Sequence, residues 1–329
     1  MIARREPAIV ALGGGHGLAA SLSALRHLSE AIIAVVTVAD DGGSSGRLRR
    51  ELGVLPPGDL RMALAALCDD GAWGRQWRDV LQHRFASAGE LNNHSLGNLL
   101  IVALWEQLGD PVAGLDWVGR LLQARGRVLP MAAVPLDIEA AVRGLDPDDP
   151  ARITTVRGQG AVASTPGTVE SVRLLPHDPP ACPEAVDAVL AADWVVLGPG
   201  SWFTSVLPHL LVPELAVALN QTTARRCLTL NLSAQQGETE GFRAETHLEV
   251  IAAHAPGLRF DVVLADPAAV EDPARLGQVV AGLGASLYLR RVAFPGTARH
   301  DPLQLAAAYR DVFAGAKHAT DNEFRPNGR

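Results

Sequence analysis

Residues 9–46 read IVALGGGHGLAASLSALRHLSEAIIAVVTVADDGGSSG and predict the architecture of the chain. Residues 9–12 form a short apolar run, the leucines of residues 18–28 recur at helical spacing, and residues 32–38 are again apolar and β-branched. A strand, a helix and a strand within about 30 residues form a βαβ unit, whose two strands are parallel. We therefore expect an α/β fold that is Rossmann-like and doubly wound, with a mostly parallel sheet.

The α/β rhythm extends along most of the chain. Residues 128–175 differ, because apolar and polar residues alternate there between turn-rich segments, which is typical of antiparallel strands. We expect residues 1–314 to form a single domain that contains this antiparallel β excursion, followed by a polar, mobile tail at 315–329. Further strands are predicted at 194–197, 227–232 and 260–264, and helices at 60–68, 95–108, 112–124, 184–191, near 201–219, 244–254 and 303–314.

The composition excludes several classes of protein. The chain has 329 residues, of which 48% are hydrophobic and 20% charged, so a disordered or fibrous protein is excluded. The longest apolar run, 96–105, falls short of the roughly 20 residues of a membrane-spanning helix, so we expect no membrane span. A net charge of −7 argues against nucleic acid as the main partner.

Two residue counts restrict the chemistry further. The chain has a single lysine, Lys317, so an anion inside the fold must be held by backbone amides, arginine or histidine. The three cysteines are far apart and offer neither a disulfide framework nor a zinc site, which suits a reducing compartment. Arg4 and Arg5 before apolar residues resemble a signal peptide, but the glycines at 13–17 interrupt it. We expect a cytoplasmic protein.

The first candidate site is the turn of Gly13, Gly14, Gly15, His16 and Gly17. Glycines between a strand and a helix let backbone amides approach a phosphate at the positive end of the helix dipole. Neither the dinucleotide fingerprint nor the Walker pattern matches, because the required last glycine and the Gly-Lys pair are absent. The alternative is a tight turn without a ligand.

The second candidate site follows the second strand. A carboxylate there is placed to bind ribose hydroxyls, or two carboxylates could share a divalent cation with a phosphate ligand. Residues 42–46 also fit the esterase pattern G-x-S-x-G, which we disfavour because two aspartates separate it from its strand. The plain alternative is a flexible loop whose aspartate caps a helix. The candidate residues here are Asp40, Asp41, Ser44, Ser45 and Arg47.

Two helix starts contribute weaker candidates. Asp59 is predicted to cap the helix that begins near residue 60, and Arg61 just inside that helix could face the same crevice. Asn98 lies on an otherwise apolar helical face after Ser95, the expected N-cap. A buried asparagine needs partners, so Asn98 either joins two loops or touches a ligand.

A second glycine turn, Gly198-Pro199-Gly200-Ser201, follows a later strand and repeats the logic of the first. Ser201 and Thr204 lie in the first turn of the next predicted helix, where hydroxyls and amides commonly meet a phosphate or a sugar. Because parallel strands end at the same edge of a sheet, we expect both glycine turns to form one crevice.

Together these motifs resemble the gluconeogenesis factor family, the YvcK-like proteins, which are relatives of 2-phospho-L-lactate transferases. Each motif alone is weak, but the set occurs in order over nearly the whole chain. The motifs are GGGHG at 13–17, ADDGGSSGRLR at 39–49, PPGDLR at 56–61, HSLGNL at 94–99, GPGS at 198–201, TSVLP at 204–208 and QGET at 236–239.

The resemblance implies a Rossmann-like sheet, residence in the cytoplasm and binding of a UDP-sugar, notably UDP-N-acetylglucosamine. It also implies a regulator that directs carbon to cell-wall precursors and affects cell shape during gluconeogenic growth. Arg299 would contribute to the UDP-sugar site. An enzyme of amino-sugar or cell-wall precursor synthesis is the implied protein partner, and we expect a homo-oligomer.

Two function classes follow. The favoured hypothesis is a regulator that binds a UDP-sugar or dinucleotide ligand, with no catalytic residue and no metal assigned. The alternative is a metal-dependent nucleotidyl or phospholactate-type transferase, in which Asp40 and Asp41 would bind Mg²⁺ and take part in transfer of a phosphate-containing group.

Overall fold

The computed structural model describes residues 6–235 and 238–315. Within these ranges the chain forms two sheets and twelve α-helices, and the expected α/β class is confirmed. The strands are β1 (Ile9–Gly13), β2 (Ile32–Val36), β3 (Arg127–Pro130), β4 (Asp137–Arg143), β5 (Ile153–Arg157), β6 (Thr168–Leu175), β7 (Trp194–Leu197), β8 (Arg225–Thr229), β9 (Val262–Ala265) and β10 (Ser286–Leu289).

Twelve helices accompany the described strands, five of them in succession between β2 and β3. They are α1 (Gly15–Leu25), α2 (Gly43–Leu52), α3 (Gly58–Leu67), α4 (Ala72–Gln82), α5 (Leu96–Leu108), α6 (Pro111–Leu122), α7 (Gln159–Ala163), α8 (Pro183–Ala191), α9 (Pro213–Gln221), α10 (Ala244–His254), α11 (Pro273–Gly282) and α12 (Pro302–Phe313).

The larger sheet has the order β3-β2-β1-β7-β8-β9-β10, and each neighbouring pair is parallel. From β1 the chain proceeds outward to β3, and from β7 it proceeds outward in the opposite direction to β10. The order therefore reverses between β1 and β7, which is the switch point of a doubly wound fold. All five residues of β1 and all four of β7 are buried, as expected for central parallel strands.

Helix α1 packs against α3 and α12 and fixes the first turn of the chain above the sheet. Its apolar stripe, Leu18, Leu22 and Leu25, is fully buried, as the helical spacing predicts. Beneath it a hydroxyl cluster joins three elements: Ser21 Oγ donates to the carbonyl of Gly198 at 3.1 Å and lies 2.9 Å from the hydroxyl of Tyr309 in α12. The β1–α1 turn and the β7 turn are thus tied together from below.

The antiparallel excursion is real, but it begins later than predicted. Residues 127–130 pair in parallel with β2 and so form an edge strand of the larger sheet. The antiparallel sheet has the order β5-β4-β6 and starts at Asp137. Helix α7, which connects β5 to β6, packs against residues 202–206 that follow β7.

The helix predicted near 201–219 is wrong as a continuous element. The chain forms a π-helical turn at Trp202–Val206, a 3₁₀ turn at Leu207–Leu210 and then α9. Pro208 and Pro213 interrupt it, because proline lacks an amide hydrogen and its ring clashes with the preceding helical turn. The elements α2, α4, α7, α11 and β10 were not predicted; α2 contains the glycines and serines that we interpreted as a loop.

Of the predicted tail, only Gly315 lies inside the described residues. Over the described ranges, no single helix has the length and apolar composition needed to cross a membrane. In the same part of the chain, only the bent pair Trp202–Leu210 and Pro213–Gln221 meets those criteria when its two parts are combined.

Candidate functional site

A cleft of about 790 Å³ opens at the carboxyl ends of β1 and β7. This is the reversal point of the strand order, where open α/β sheets place their ligands. Nine of the residues proposed from the sequence line it. They are Gly14, Gly15, His16, Gly17, Pro199, Gly200, Ser201, Thr204 and Arg299.

The two glycine turns are in direct contact, as the topology predicts. A Cβ atom on Gly17 would lie 2.2 Å from the carbonyl oxygen of Pro199 and 2.5 Å from the Cα of Gly200. Only glycine therefore fits at residue 17. Asn231 fixes the second turn, because its Oδ1 accepts from the N–H of Gly200 at 2.9 Å and its Nδ2 donates to the Gly200 carbonyl at 2.8 Å.

The first turn is open towards the cleft. Gly15 has a left-handed φ of +55°, and nothing lies within 4 Å of where its Cβ would be. His16 is exposed. As in any helix start, the N–H groups of His16 and Gly17 have no partner inside α1, and they lie at the positive end of its dipole. This turn has the features of an anion site.

Gly13 and Gly198 do not line the cleft. Gly13 is the last residue of β1, and its carbonyl accepts from the N–H of Thr37 at 3.0 Å. Gly198 has a left-handed φ of +73° and precedes a cis peptide bond to Pro199. Both residues shape the turns from inside the sheet.

Asp59 lies in the first turn of α3 at the floor of the cleft. The prediction that its side chain caps this helix is therefore wrong. Its carboxylate accepts from the N–H of Gly15 across the cleft floor. Burial raises the pKa of Asp59 to about 7, and the charge of Asp40 adds to the increase, while the Gly15 N–H and Arg61 oppose it. A carboxyl group that titrates near neutral pH thus lies beside the start of α1.

The second turn differs from the first, because its amides already have a partner. Glu238 accepts from the backbone N–H groups of Trp202 and Phe203 and from the hydroxyl of Ser201, at 2.6 Å for each carboxylate oxygen. Ser201 also contacts the hydroxyl of Thr204. Burial raises the pKa of Glu238, and these donors oppose the increase. The expectation that both turns present free amides is correct only for the first.

Arg299 and His300 lie at the rim of the cleft. They belong to a hairpin, residues 292–301, whose two arms pair with each other. The N–H of Phe294 donates to the carbonyl of Arg299 at 2.9 Å. Asp266 anchors the hairpin: its Oδ2 accepts from the N–H groups of Val292 at 2.7 Å and of the next residue at 3.1 Å. Burial lowers the pKa of His300 to about 4, so this imidazole is neutral at physiological pH.

Asp40 and Asp41 stand behind the cleft rather than in it. Asp40 accepts from the N–H of Gly42 at 2.9 Å, in front of α2, and its charge acts on Asp59. Asp41 accepts from the N–H of Gly160 at 3.0 Å and so attaches α7 to the end of β2. Gln159, Gly160 and Ala163 of α7 line the cleft, and no pattern in the sequence identifies them as site residues.

Ser44, Ser45 and Asn98 are placed in the interior, not in the cleft. Ser44 Oγ lies 3.0 Å from His94 Nδ1 and accepts from Asn98 Nδ2 at 3.0 Å. Asn98 Oδ1 accepts from Arg61 Nε at 2.9 Å. Asn98 therefore joins α2, α3 and α5, and a buried Ser44 in a helix has no place as the nucleophile of an esterase. A further link comes from Asn98 Nδ2 to Ser45 at 3.4 Å.

Arg47 also binds protein groups. Its guanidinium donates to the carbonyls of Glu90 at 2.9 Å and Asn92 at 3.0 Å, which holds the exposed loop before α5 against α2. Among the residues at 6–235 and 238–315, no three histidine, cysteine, aspartate or glutamate side chains converge as metal ligands would.

The fold and the cleft define a class of protein, and comparison identifies it. The chain belongs to the 2-phospho-L-lactate transferase CofD family, whose model matches residues 9–279. A solved structure of a UPF0052 family member from Bacillus halodurans superposes with a TM-score of 0.81 at 33% identity, covering 93% of this chain and 99% of that one.

Relatives within the family agree with the resemblance inferred from the motifs. A protein of Mycobacterium leprae named "Putative gluconeogenesis factor" is 57% identical over 94% of this chain and 87% of its own length. One of the same name in Mycobacterium tuberculosis H37Rv is 57% identical over 93% and 90%. The "Gluconeogenesis factor" of Bacillus subtilis is 36% identical over 82% and 81%. The gluconeogenesis factor branch of the family is thus confirmed.

Proposed function

We propose that this protein is a regulator that binds a nucleotide diphosphate sugar of the UDP-N-acetylglucosamine kind in the cleft between β1 and β7. Bound ligand would report the supply of amino-sugar to an enzyme of cell-wall precursor synthesis, and so link carbon flow in gluconeogenic growth to cell shape. One observation carries the proposal: two glycine turns meet at the switch point, and one of them has open amides at a helix start.

The open first turn suits the diphosphate. The N–H groups of His16 and Gly17 can donate to phosphate oxygens at the start of α1, where the helix dipole also favours negative charge. Gly15 lets a phosphate approach the backbone closely, because nothing lies within 4 Å of the position that a Cβ atom would take there. Among the described residues no lysine lines the cleft, so backbone donors and the guanidinium of Arg299 at the rim are the positive partners that they supply there.

The second turn suits the sugar rather than the phosphate. Glu238 and Ser201 present a carboxylate and a hydroxyl, which accept hydrogen bonds from sugar hydroxyls but repel a phosphate. A ligand with a diphosphate at one end and a hydroxyl-rich ring at the other matches this division. The names of the relatives support a role in gluconeogenesis.

Calorimetry with UDP-N-acetylglucosamine tests the proposal. His16→Glu places a carboxylate beside the open amides, and we expect at least about a tenfold loss of affinity from like-charge repulsion. Gly14→Val is a poor probe, because a Cβ there would lie 2.4 Å from Thr37 Cγ2 and 2.6 Å from Asp59 Oδ2 and would disturb the fold.

The matched control is His27→Glu, which makes the same change on an exposed histidine just after α1 and outside the cleft. It should bind like the unaltered protein. If no uridine nucleotide binds the unaltered protein, or if both variants bind equally, the proposal fails.

A second candidate function rests on two neighbouring carboxyl groups, Asp59 at the cleft floor and Asp40 behind it. Asp59 and Asp40 lie close enough for their charges to interact, and such a pair beside a phosphate site is a place where Mg²⁺ could assist transfer of a phosphate-containing group. The family includes a transferase by name. The test is product formation from UTP and a sugar phosphate with Mg²⁺. A protein that binds the nucleotide sugar but never forms product excludes this transferase function.

A further inference from the structure

Beside the cleft lies a small side chamber of about 30 Å³, large enough for one or two water-sized groups. Asn231 and Ser233 line both the cleft and the chamber, so the two spaces adjoin. Asn231 is the residue that fixes the second glycine turn. The chamber therefore lies next to the part of the cleft that we assign to the sugar.

Within the described ranges, no Asp, Glu, Lys or Arg side chain lines the chamber, and its polar side chains are Asn231, Ser233 and His247. Its other walls are four alanines, Leu230, Phe242 and Val270. His247 is 5% exposed, and burial lowers its pKa to about 4, so the ring is neutral. A neutral imidazole carries one donor and one acceptor nitrogen. No ionised group of a ligand would be stable among these walls.

One nitrogen of this imidazole has no hydrogen-bond partner among the described residues. Among the described residues, no group forms a hydrogen bond with Nδ1 of His247, although this atom is buried. The indole of Trp202, whose ring centroid is 4.6 Å from that of His247, likewise has a buried N–H without a partner. Unsatisfied buried polar atoms are rare in proteins and commonly indicate a bound water or ligand group.

We propose that this chamber is a subsite for a short neutral substituent of the sugar, one with an apolar end and one amide group, such as an acetamido group. The methyl end would contact the alanines and Val270, and the amide would hydrogen-bond to the imidazole of His247. This inference rests on the proposed function, since it assumes that the cleft binds a nucleotide sugar. It adds a basis for choosing an N-acetylated sugar over its hydroxyl analogue.

Ala269→Leu tests the subsite by filling the chamber. Ala269 lines it, whereas the adjacent Ala268 is exposed in the same 3₁₀ turn and does not, so Ala268→Leu is the matched control. Calorimetry would compare UDP-N-acetylglucosamine, UDP-glucose and UDP for all three proteins. We expect the unaltered protein and Ala268→Leu to prefer the acetamido ligand over UDP-glucose by about tenfold or more, since a site that hydrogen-bonds a substituent discriminates against its absence.

For Ala269→Leu we expect that preference to disappear while affinity for UDP stays unchanged. His247→Leu, which removes the polar atom at similar volume, should give the same result and serves if Ala269→Leu does not fold. Equal affinity of the unaltered protein for the two sugars, or a preference that survives both substitutions, overturns the subsite alone. Absence of binding by UDP as well overturns the proposed function, and the subsite with it.

Discussion

The two glycine turns of the cleft look alike in sequence but differ in what they offer a ligand. At the β1–α1 turn, the amides of His16 and Gly17 remain open. At the β7 turn, Asn231 binds Gly200 and Glu238 binds the amides that follow Ser201. A glycine turn after a parallel strand is therefore not sufficient for an anion site. What matters is whether the fold supplies its own acceptor for the exposed amides.

The largest expected effect concerns the acceptor of the second turn. Glu238→Ala leaves two buried amides and Ser201 without their partner, and we expect a loss of about 2–4 kcal/mol in the free energy of unfolding. Urea denaturation measures it. Glu240→Ala, which truncates an exposed glutamate two residues away, should cost less than about 0.5 kcal/mol. Equal costs would show that Glu238 is not the acceptor that closes this turn.

The first turn can be examined through pH. The pKa of Asp59 rises from 3.8 to about 7 in the folded protein, so the folded state holds this proton more tightly than the unfolded chain. Its contribution to stability is complete below pH 3.8 and is lost as the pH rises through 7. Asp59→Asn keeps an acceptor for Gly15 and never ionises. We expect it to stabilise the protein by roughly 2 kcal/mol at pH 8, after solvent screening.

At pH 5 the stabilisation by Asp59→Asn should fall to less than about half of its value at pH 8, because Asp59 is then protonated in the folded protein but already ionised in the unfolded chain. Thermal unfolding at both pH values provides the measurement, with Asp79→Asn at an exposed site of α4 as the control. Nucleotide affinity of the unaltered protein should also weaken as the pH rises from 6 to 8, because ionised Asp59 repels the phosphate. A pH-independent difference between the two proteins would show that Asp59 is already ionised at pH 5.

A smaller effect is expected at the rim. Arg299→Gln removes the guanidinium at the cleft rim, and we expect affinity for UDP-N-acetylglucosamine to fall about tenfold with stability unchanged. Arg291→Gln is the control, since Arg291 is exposed and lies outside the cleft lining. Calorimetry separates the two variants. An Arg299 variant with full affinity would restrict binding to the turns themselves.

The smallest effect belongs to the loop after β2. Asp41→Asn weakens the hydrogen bond that attaches α7 to this loop, and we expect a cost of about 0.5–1 kcal/mol in the free energy of unfolding. Amide hydrogen exchange should quicken at Gly160, while exchange in β1 stays unchanged. If exchange at both places responds equally, α7 does not depend on Asp41 for its attachment.

The sequence predicts the features that depend on local periodicity and topology. The β1–α1–β2 unit follows from apolar spacing, and the meeting of residues 13–17 with 198–201 follows from the parallel sheet. By contrast, α2 begins with glycine and serine, which favour turns, and it is helical because Ser44 bonds to Asn98 and His94. Local patterns do not contain such tertiary bonds.

The same limit explains the errors about the site. The role of Asp59 depends on α3 packing against α1, so a capping pattern misplaces its side chain. Ser44 and Arg47 were interpreted as ligand residues, but polar residues near a glycine loop also fasten helices to each other. For Asn98, the hydrogen bonds to Ser44 and Arg61 favour the structural one of its two alternatives. The cleft wall formed by α7 lies far from both glycine turns in the sequence. A short stretch of sequence therefore does not show that this helix packs beside them.

The contact at Gly17 has a mechanical consequence. Backbone of one half of the sheet abuts backbone of the other, with no side chain between them to repack. We therefore expect the cleft floor to keep a constant width, and any adjustment to ligands of different size to occur at the Arg299 hairpin, which the carboxylate of Asp266 holds to the body of the protein.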